Sequence, residues 1–303
     1  MKSAVLLLVV FAVGASAQCS CKTLDWADCS NSSPPCSCFL PFDSSKKPLD
    51  CEKLVPKCLL MKEEMQRRMR GKRLGGKPVE TAIVDNDGIY DPDCDATGQF
   101  RTKQCNNTEV CWCVNSAGVR RSDKGDKGIE CEQAETYWVR LDLTHTPPTS
   151  PIDSTKIKAA IDTALQQRYQ LEKGLVKDVQ YDENANLMVV DVKKDIGDRV
   201  QDLSRMTYYL MKDVKESPLF RSKSKLQVNI DGQNVTFKDV VIYYVDEKAP
   251  TFTMKRVTGG IIAVIVVVIL VLIGGLLILY FIRKREEAMY SKGQERQMDN
   301  VQN

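Results

Sequence analysis

The residues best placed to do chemistry are twelve cysteines, all of which lie between Cys19 and Cys131. Thiols at this density form disulfides or bind zinc. A zinc site is disfavoured because His145 is the only histidine, and because the first residues predict export to an oxidising compartment, as argued below. The even count therefore predicts a disulfide framework.

The cysteine spacing divides this framework into two groups. The first occupies a segment of about 35 residues, which is too small to be held together by burial and must depend on its bridges. It consists of Cys19, Cys21, Cys29, Cys36, Cys38 and Cys51. The second, more widely spaced, consists of Cys58, Cys94, Cys105, Cys111, Cys113 and Cys131. Six cysteines can pair in fifteen ways, so spacing alone does not determine either connectivity.

Other reactive constellations are absent from the sequence or incomplete. It contains no nucleophile elbow, phosphate-binding loop or zinc-protease helix, and His145 is predicted to be an exposed polar residue. Three aspartates alternate as in the start of an EF-hand calcium loop: Asp91, Asp93 and Asp95. A calcium site is rejected because Ala96 and Thr102 replace the required Gly and Glu. The sequence predicts a protein that is not an enzyme and uses no metal or cofactor.

A basic stretch lies between Cys58 and Cys94, and consists of Arg67, Arg68, Arg70, Lys72 and Arg73. One interpretation is a solvated loop face. The sharper hypothesis is a cleavage site for a trypsin-like protease at the four arginines, because exposed loop tips are cut readily. Nucleic acid is excluded as a partner, since the formal net charge is only +3 and the chain is predicted to be exported.

The ends of the chain indicate its topology. Residues 4–13 form an apolar run too short to span a bilayer, and small residues follow up to a cleavage position between Ala17 and Gln18. This pattern is typical of a signal peptide. Three glycosylation sequons then lie in the exported part, at Asn31, Asn106 and Asn234, and we expect at least one of them to carry a glycan.

A second apolar segment, from Ile261 to Ile282, contains no charged residue. As a helix it is about 33 Å long, which is enough for a hydrocarbon core of about 30 Å. A basic cluster begins at Arg283, and such clusters favour the cytoplasmic side. The sequence therefore predicts a type I single-pass protein of the plasma membrane, with an extracellular N-terminus and a short cytoplasmic tail.

Residues 132–249 contain no cysteine and need an ordinary core, which about 115 residues can supply. Apolar patterns predict strands at 136–143, 187–192, 226–230 and 240–245, with a turn at Asp231-Gly232. Helical spacing predicts one helix capped by Asp153 or Ser154. It predicts a second along Val200, Leu203, Met206, Leu210 and Val214. The order predicts an α+β domain with helices on one face of a mostly antiparallel sheet.

The second cysteine group has a recognisable arrangement, which includes Tyr90-Asp91-Pro92-Asp93-Cys94, Lys103-Gln104-Cys105, Cys111-Trp112-Cys113-Val114, Gly118 and Cys131. It resembles a thyroglobulin type-1 repeat; a generic cysteine-rich module is the alternative. The resemblance implies the pairs Cys58–Cys94, Cys105–Cys111 and Cys113–Cys131.

The resemblance extends beyond this module, through Thr136-Tyr137-Trp138, Arg168-Tyr169-Gln170-Leu171, Ser217-Pro218-Leu219-Phe220 and Ile242-Tyr243-Tyr244-Val245. These segments are similar to the family of epithelial cell adhesion molecules, which includes the paralogous trophoblast cell-surface antigen. The family implies the pairs Cys19–Cys36, Cys21–Cys51 and Cys29–Cys38. It also implies an α+β multi-domain ectodomain. The expected segments are 1–17 signal peptide, 18–56 N-terminal module, 57–131 thyroglobulin domain, 132–249 membrane-proximal domain, 250–258 stalk, 259–282 transmembrane helix and 283–303 tail.

This resemblance implies homophilic adhesion at lateral contacts between epithelial cells. A long thyroglobulin loop, about Lys62 to Asp91, would dock on the membrane-proximal domain of a second copy to form a cis dimer, and dimers on opposing cells would associate. Membrane and intramembrane proteases would release the tail as a signal. Two further hypotheses are inhibition of cysteine proteases by the thyroglobulin module, and a ligand-binding receptor.

The family resemblance also implies claudin binding through small residues in the membrane span. Close helix approach needs such residues four positions apart. Val271 precedes Gly275 at that spacing, so the chain has a bulkier residue where the family pattern has a small one. The candidate packing positions are Gly259, Ala263, Gly274 and Gly275.

Overall fold

The protein is described here by a computed structural model. The structure describes residues 19–30, 36–41, 48–69, 90–106, 109–252 and 259–299. The chain forms two compact units, Met1–Thr251 and Phe252–Asn303, and each is considered by itself.

The N-terminal module consists of two short antiparallel strands and three disulfides. The strands are β1 (Asp28–Cys29) and β2 (Cys38–Phe39). The disulfides are Cys19–Cys36, Cys21–Cys51 and Cys29–Cys38, which are the pairs that the family resemblance implies. With so little regular structure, the bridges hold most of the local chain geometry.

The thyroglobulin module begins with helix α1 (Lys57–Met69) and continues with the antiparallel strands β3 (Lys103–Cys105) and β4 (Cys111–Cys113). Its disulfides are Cys58–Cys94, Cys105–Cys111 and Cys113–Cys131, again the implied pairs. Trp112 is 5% exposed, and its ring meets that of Tyr90 edge-on. Gly118 has φ +76°, and a Cβ there would lie 2.5 Å from the Phe100 ring, so this turn needs glycine.

The cysteine-free part forms a five-stranded antiparallel sheet in the order β6-β7-β5-β9-β8. The strands are β5 (Thr136–His145), β6 (Val176–Asp182), β7 (Leu187–Lys193), β8 (Gln227–Ile230) and β9 (Gln233–Asp246). Helix α2 (Ser154–Tyr169) lies against β6 and β8, and α3 (Leu203–Lys215) lies against β5 and β9. The predicted α+β class, with helices on one face, is confirmed.

Local sequence signals explain several element boundaries. Asp153 caps α2 by accepting a hydrogen bond from the Thr155 amide, as predicted. Asp231 and Gly232 both have positive φ, which is the geometry of a two-residue hairpin turn between β8 and β9.

One expectation about this domain was wrong, and one strand was not predicted. Val200 is not part of the second helix: Asp202 caps α3, so the helix begins at Leu203, and Val200 is 86% exposed. Strand β6 was missed because it is an edge strand whose residues are mostly exposed, so it lacks the apolar alternation that marks a half-buried strand.

A single core connects the modules of the first unit. Leu24, Leu54 and Leu60 from the two cysteine-rich modules belong to the same buried cluster as Val139 and Tyr209 of the membrane-proximal domain. The Tyr209 hydroxyl also joins the modules directly, because it accepts a hydrogen bond from the Val55 amide at 3.2 Å. The N-terminal module is therefore supported in a second way besides its bridges, because it also buries apolar side chains against the larger domain.

The second unit contains helix α4 (Gly259–Asp299). Its segment Ile261–Arg285 has a mean hydropathy of 3.6 and is the one stretch, among the residues with described positions, that is long and apolar enough to cross a membrane. Ala263, Gly274 and Gly275 lie within this helix, which begins at Gly259, and a Cβ added at Gly274 or Gly275 would meet no other atom within 4 Å.

Candidate functional site

The predicted protease site is divided between helix α1 and a segment outside the described residues. Arg67 and Arg68 belong to α1, so the expectation that they lie on an exposed loop tip was wrong. Arg70, Lys72 and Arg73 lie outside the described residues. The loop expected from Lys62 to Asp91 therefore cannot begin before the helix ends at Met69.

Contacts from two modules hold α1 in place. The Arg67 guanidinium lies 5.1 Å from the centre of the Trp26 ring of the N-terminal module. On α3, the Lys212 ammonium lies 2.9 Å from a Glu64 carboxylate oxygen, and the Tyr208 hydroxyl donates to the same oxygen at 2.6 Å. Because this ion pair is buried, separating α1 from α3 would break a contact that is costly to lose.

We expect trypsin to cut the folded protein after Arg70 or Arg73 and to spare Arg67 and Arg68, because a protease needs an unwound backbone and α1 is packed on both sides. Limited digestion followed by mass spectrometry identifies the cut. The two fragments stay joined by Cys58–Cys94 until a reductant is added.

The matched control for this digestion replaces Arg70, Lys72 and Arg73 by glutamine and leaves α1 unchanged. This variant should resist trypsin in the region at least tenfold longer. Equally fast cutting after Arg67 or Arg68 in either protein would contradict the assignment of these residues to a stable helix.

The glycosylation candidates occupy different surroundings. Asn234 lies at the start of β9 and is exposed, and its side-chain oxygen accepts a hydrogen bond from the Asn229 amide at 2.9 Å. Asn106 is exposed directly after β3. Asn31 lies outside the described residues, as do Ala17 and Gln18 of the predicted signal cleavage. Both described asparagines are therefore accessible to a glycan.

His145 is not the exposed residue that the sequence predicts. It is 1% exposed, its ring stacks on that of Tyr181 at 5.8 Å, and its Nδ1 lies 2.7 Å from the Thr146 carbonyl oxygen. A carbonyl only accepts, so Nδ1 carries the proton. His145 is the last residue of β5 and lies on the same side of the sheet as the buried residues of that strand, which explains its burial.

The three aspartates of the EF-hand-like stretch have separate partners. Asp91 lies 3.5 Å from the Lys62 ammonium, and Asp93 lies 3.3 Å from the Arg101 guanidinium. Asp95 accepts hydrogen bonds from the amides of Thr97 and Gln99 and closes a tight turn. These carboxylates thus serve local structure.

The most distinctive surface of the first unit is the sheet face that points away from α2 and α3. We call it the open sheet face. The register places on it Trp138, Arg140 and Asp142 of β5, Val189, Asp191 and Lys193 of β7, and Val241, Tyr243 and Val245 of β9. Val241 is 44% and Tyr243 is 52% exposed. No described helix packs on this face, so apolar and aromatic side chains remain accessible.

A charged cluster stiffens the centre of this face. Arg140 donates two hydrogen bonds to Asp191, at 2.8 and 2.9 Å, and Trp138 Nε1 donates a third at 3.0 Å. The Lys193 ammonium lies 3.8 Å from the Trp138 ring centre. The hydrogen bonds from Arg140 lower the pKa of Asp191, so its carboxylate stays charged at physiological pH. Fixed aromatic and arginine side chains are typical of binding surfaces.

The apolar pattern of the sequence does not by itself mark this surface. The alternation in β5 drew attention to the buried residues Val139, Leu141 and Leu143. The signal was nevertheless present, because the intervening residues include Trp138, a large aromatic side chain at a position that the alternation assigns to solvent.

Two segments of the chain match models of known protein families. The family model of the thyroglobulin type-1 repeat matches residues 58–132, and the model described as EPCAM/Trop-2, C-terminal matches residues 136–246. Both resemblances that the sequence indicated are thus confirmed.

Similar proteins include the mouse epithelial cell adhesion molecule, which is 41% identical over 268 residues that cover 85% of this chain and 82% of that protein. The human epithelial cell adhesion molecule is 42% identical over 219 residues, 70% of this chain and 68% of that protein. Mouse tumor-associated calcium signal transducer 2 is 36% identical over 267 residues, 85% of this chain and 83% of that protein. The chain belongs to the EPCAM/Trop-2 family.

Proposed function

We propose that this protein is a single-pass glycoprotein of the epithelial cell surface that mediates homophilic cell–cell adhesion through cis dimers. The relatives are named for adhesion and signal transduction, and not for an enzymatic activity. Helix α4 supplies the segment that would cross the plasma membrane, and lateral cell contacts are where self-association between cells would occur.

The open sheet face is the observation that carries this proposal. It offers an apolar and aromatic surface next to a preformed arginine–carboxylate pair, and a second copy of the chain is the occupant that homophilic adhesion requires. The docking element would be the segment between Met69, where α1 ends, and Tyr90. Each contact is weak, but confinement on a membrane raises the effective concentration.

The position of α1 decides which residues can be removed to test this proposal. Removing residues 62–91 would delete much of α1, including Glu64 and its bonds to α3, so the variant would lose stability as well as the loop. Replacing residues 72–88 by a Gly-Ser linker of equal length leaves α1 and both ends of the Cys58–Cys94 bridge in place.

We expect this loop replacement, and separately Tyr243→Glu on the open sheet face, to reduce aggregation of cells without other adhesion molecules to the level of untransfected cells. A buried glutamate in the dimer contact would have to lose its hydration, which opposes association. Ala185→Glu, on the exposed β6–β7 turn, is the matched control and should aggregate normally. Normal aggregation by both test variants at equal surface expression would reject the proposal.

Release of the tail would require a cut between the first unit and α4. The backbone amide of Thr251 donates to the Arg121 carbonyl at 2.8 Å, so the chain is still attached to the thyroglobulin module at that residue. We therefore place shedding by a membrane protease at residues 252–258, followed by intramembrane cleavage. Claudins would contact α4 around Gly274 and Gly275, and co-purification before and after Gly275→Leu tests this.

Inhibition of cysteine proteases is the second candidate function. A wedge inhibitor must present exposed loops, but the turn after Cys111-Trp112-Cys113-Val114 contacts the membrane-proximal domain: Asn115 Nδ2 donates to Asp246 at 2.8 Å, and the Thr136 amide donates to Ser116 at 3.0 Å. This arrangement favours adhesion. A cathepsin inhibition assay with the whole ectodomain separates the two functions.

A further inference from the structure

The connection between β7 and α3 displays two aliphatic side chains to solvent. Ile196 is 71% and Val200 is 86% exposed. No other large hydrophobic side chain in the described part of the first unit is more than 52% exposed. Two such residues within one short connection, which we call the 194–201 loop, are unusual for a surface that faces only water.

The 194–201 loop is held rigidly at both ends. The buried Lys194 ammonium pairs with Glu135 at 2.7 Å and also contacts the Gln201 carbonyl. In the middle, Asp198 accepts a hydrogen bond from the Val200 amide at 2.8 Å. Because these bonds fix the backbone, Ile196 and Val200 cannot relieve their exposure by folding back onto the core.

Glu247, the residue directly after β9, connects the loop to the segment by which the chain leaves the first unit. Its carboxylate accepts two hydrogen bonds from Arg199, at 2.7 and 2.8 Å, and one from the Gly197 amide at 2.8 Å. The hydrogen bonds from Arg199 lower the pKa of Glu247 to about 2, so this attachment persists throughout the physiological pH range.

The sheet topology places the loop at one defined end of the domain. The register pairs Trp138 with Lys193 and Thr136 with Asp246, so β7 and β9 finish at the same end of the sheet. After β9 the chain leaves the first unit at Thr251. Seven residues, 252–258, separate Thr251 from the first residue of α4 along the chain. The 194–201 loop is thus at the same end of the sheet as the last residue of β9.

We propose that Ile196 and Val200 insert into the interfacial layer of the bilayer that α4 crosses, and that the 194–201 loop is a membrane-resting point of the ectodomain. The proposal depends on the proposed topology. Moving aliphatic side chains from water to the acyl–headgroup boundary lowers the free energy, while Asp195, Asp198 and Arg199 remain among the headgroups. These charges nearly cancel, so the chemistry fits a zwitterionic phosphatidylcholine surface and does not require anionic lipid.

The test uses the full chain, one copy per nanodisc, in phosphatidylcholine with brominated acyl chains. Tryptophan is introduced by Ile196→Trp or Val200→Trp, and the fluorescence of the unsubstituted protein is subtracted to remove the signal of Trp26, Trp112 and Trp138. We expect the bromolipid to quench at least about half of the added emission relative to unbrominated lipid.

Ala185→Trp is the matched control, because it lies on the exposed turn at the other end of β7, about 20 Å away along a seven-residue strand. It should show less than about a tenth of its emission quenched. Equal quenching at positions 185, 196 and 200, or none at 196 and 200, overturns the proposal.

Two further measurements separate this proposal from the adhesive function. Flotation with lipid reports whether α4 enters the bilayer; a chain that does not float overturns both the topology and the membrane contact. Cell aggregation is measured on the same substitutions. If Ile196→Trp abolishes aggregation and shows no bromolipid quenching, the loop contacts a protein, and the proposal is wrong. Quenching that persists in the non-aggregating Tyr243→Glu variant supports membrane contact independently of the cis dimer.

Discussion

Replacing Arg121 by alanine is expected to lower the free energy of unfolding of the ectodomain by about 3–5 kcal/mol, the range for breaking a buried ion pair by removing one partner. The Arg121 side chain is 7% exposed, and its Nε lies 2.8 Å from an Asp246 oxygen. Its guanidinium also donates to the carbonyls of Lys248 and Ala249. One side chain of the thyroglobulin module therefore holds the end of β9 and the segment that follows it.

The remaining partners show why the loss should be large. Asp246 also accepts hydrogen bonds from Asn115 at 2.8 Å and from the Thr136 hydroxyl at 2.7 Å, so its carboxylate would remain fixed at the junction and would lose its cation. The Lys248 and Ala249 carbonyls would lose their donor at the same time. Since Thr251 is attached to the Arg121 backbone, the variant should also become more susceptible to proteases near residue 251.

Urea unfolding followed by tryptophan fluorescence, with the disulfides intact, measures this effect. Lys248→Ala is the matched control, because its ammonium pairs with Glu132 at a nearby but exposed site, where losing the pair should change the free energy of unfolding far less. Arg121→Lys should fall between the two, since lysine keeps the charge but not the planar fork. A loss for Arg121→Ala no greater than for Lys248→Ala would refute the proposed role of Arg121 at the junction.

Asp213→Ala is expected to cost a similar amount, about 3–5 kcal/mol. Asp213 lies on α3, and its side chain is fully buried. One of its oxygens accepts from Arg168 Nε at 2.5 Å and from the Tyr169 hydroxyl at 2.6 Å, and both donors belong to the last turn of α2. Burial raises the pKa of Tyr169, so its hydroxyl stays protonated and donates. The variant would leave a guanidinium and a hydroxyl without their acceptor between the two helices.

The same unfolding measurement tests the Asp213 network. Tyr169→Phe removes one neutral donor and should cost about 1 kcal/mol. Combining it with Asp213→Ala should cost less than the sum of the two single changes, because the hydroxyl no longer needs a partner. Strict additivity, or a loss below about 1 kcal/mol for Asp213→Ala, would show that the network does not join α2 to α3.

Much of the fold could be predicted from local patterns. The strand from Thr136, the hairpin at Asp231-Gly232 and the cap at Asp153 all depend on neighbours within a few residues, and the structure contains each of them. Strand β6 and the start of α3 could not be predicted in the same way. The edge position of β6 removes the need for apolar alternation, and Asp202 ends the helical pattern short of Val200.

The sequence alone determined the gross organisation of this protein: confined cysteines, a cysteine-free domain, one long apolar segment and the motifs of a known family. These features reflect composition and short-range spacing, which can be recognised in the sequence itself. Only the tertiary structure decided that His145 is buried, that Arg67 lies on a packed helix and that one face of the sheet stays open. It also decided that Arg121 meets Asp246, 125 residues later in the chain. Such pairs depend on how whole elements pack, and no local pattern encodes which distant charge a buried arginine will meet.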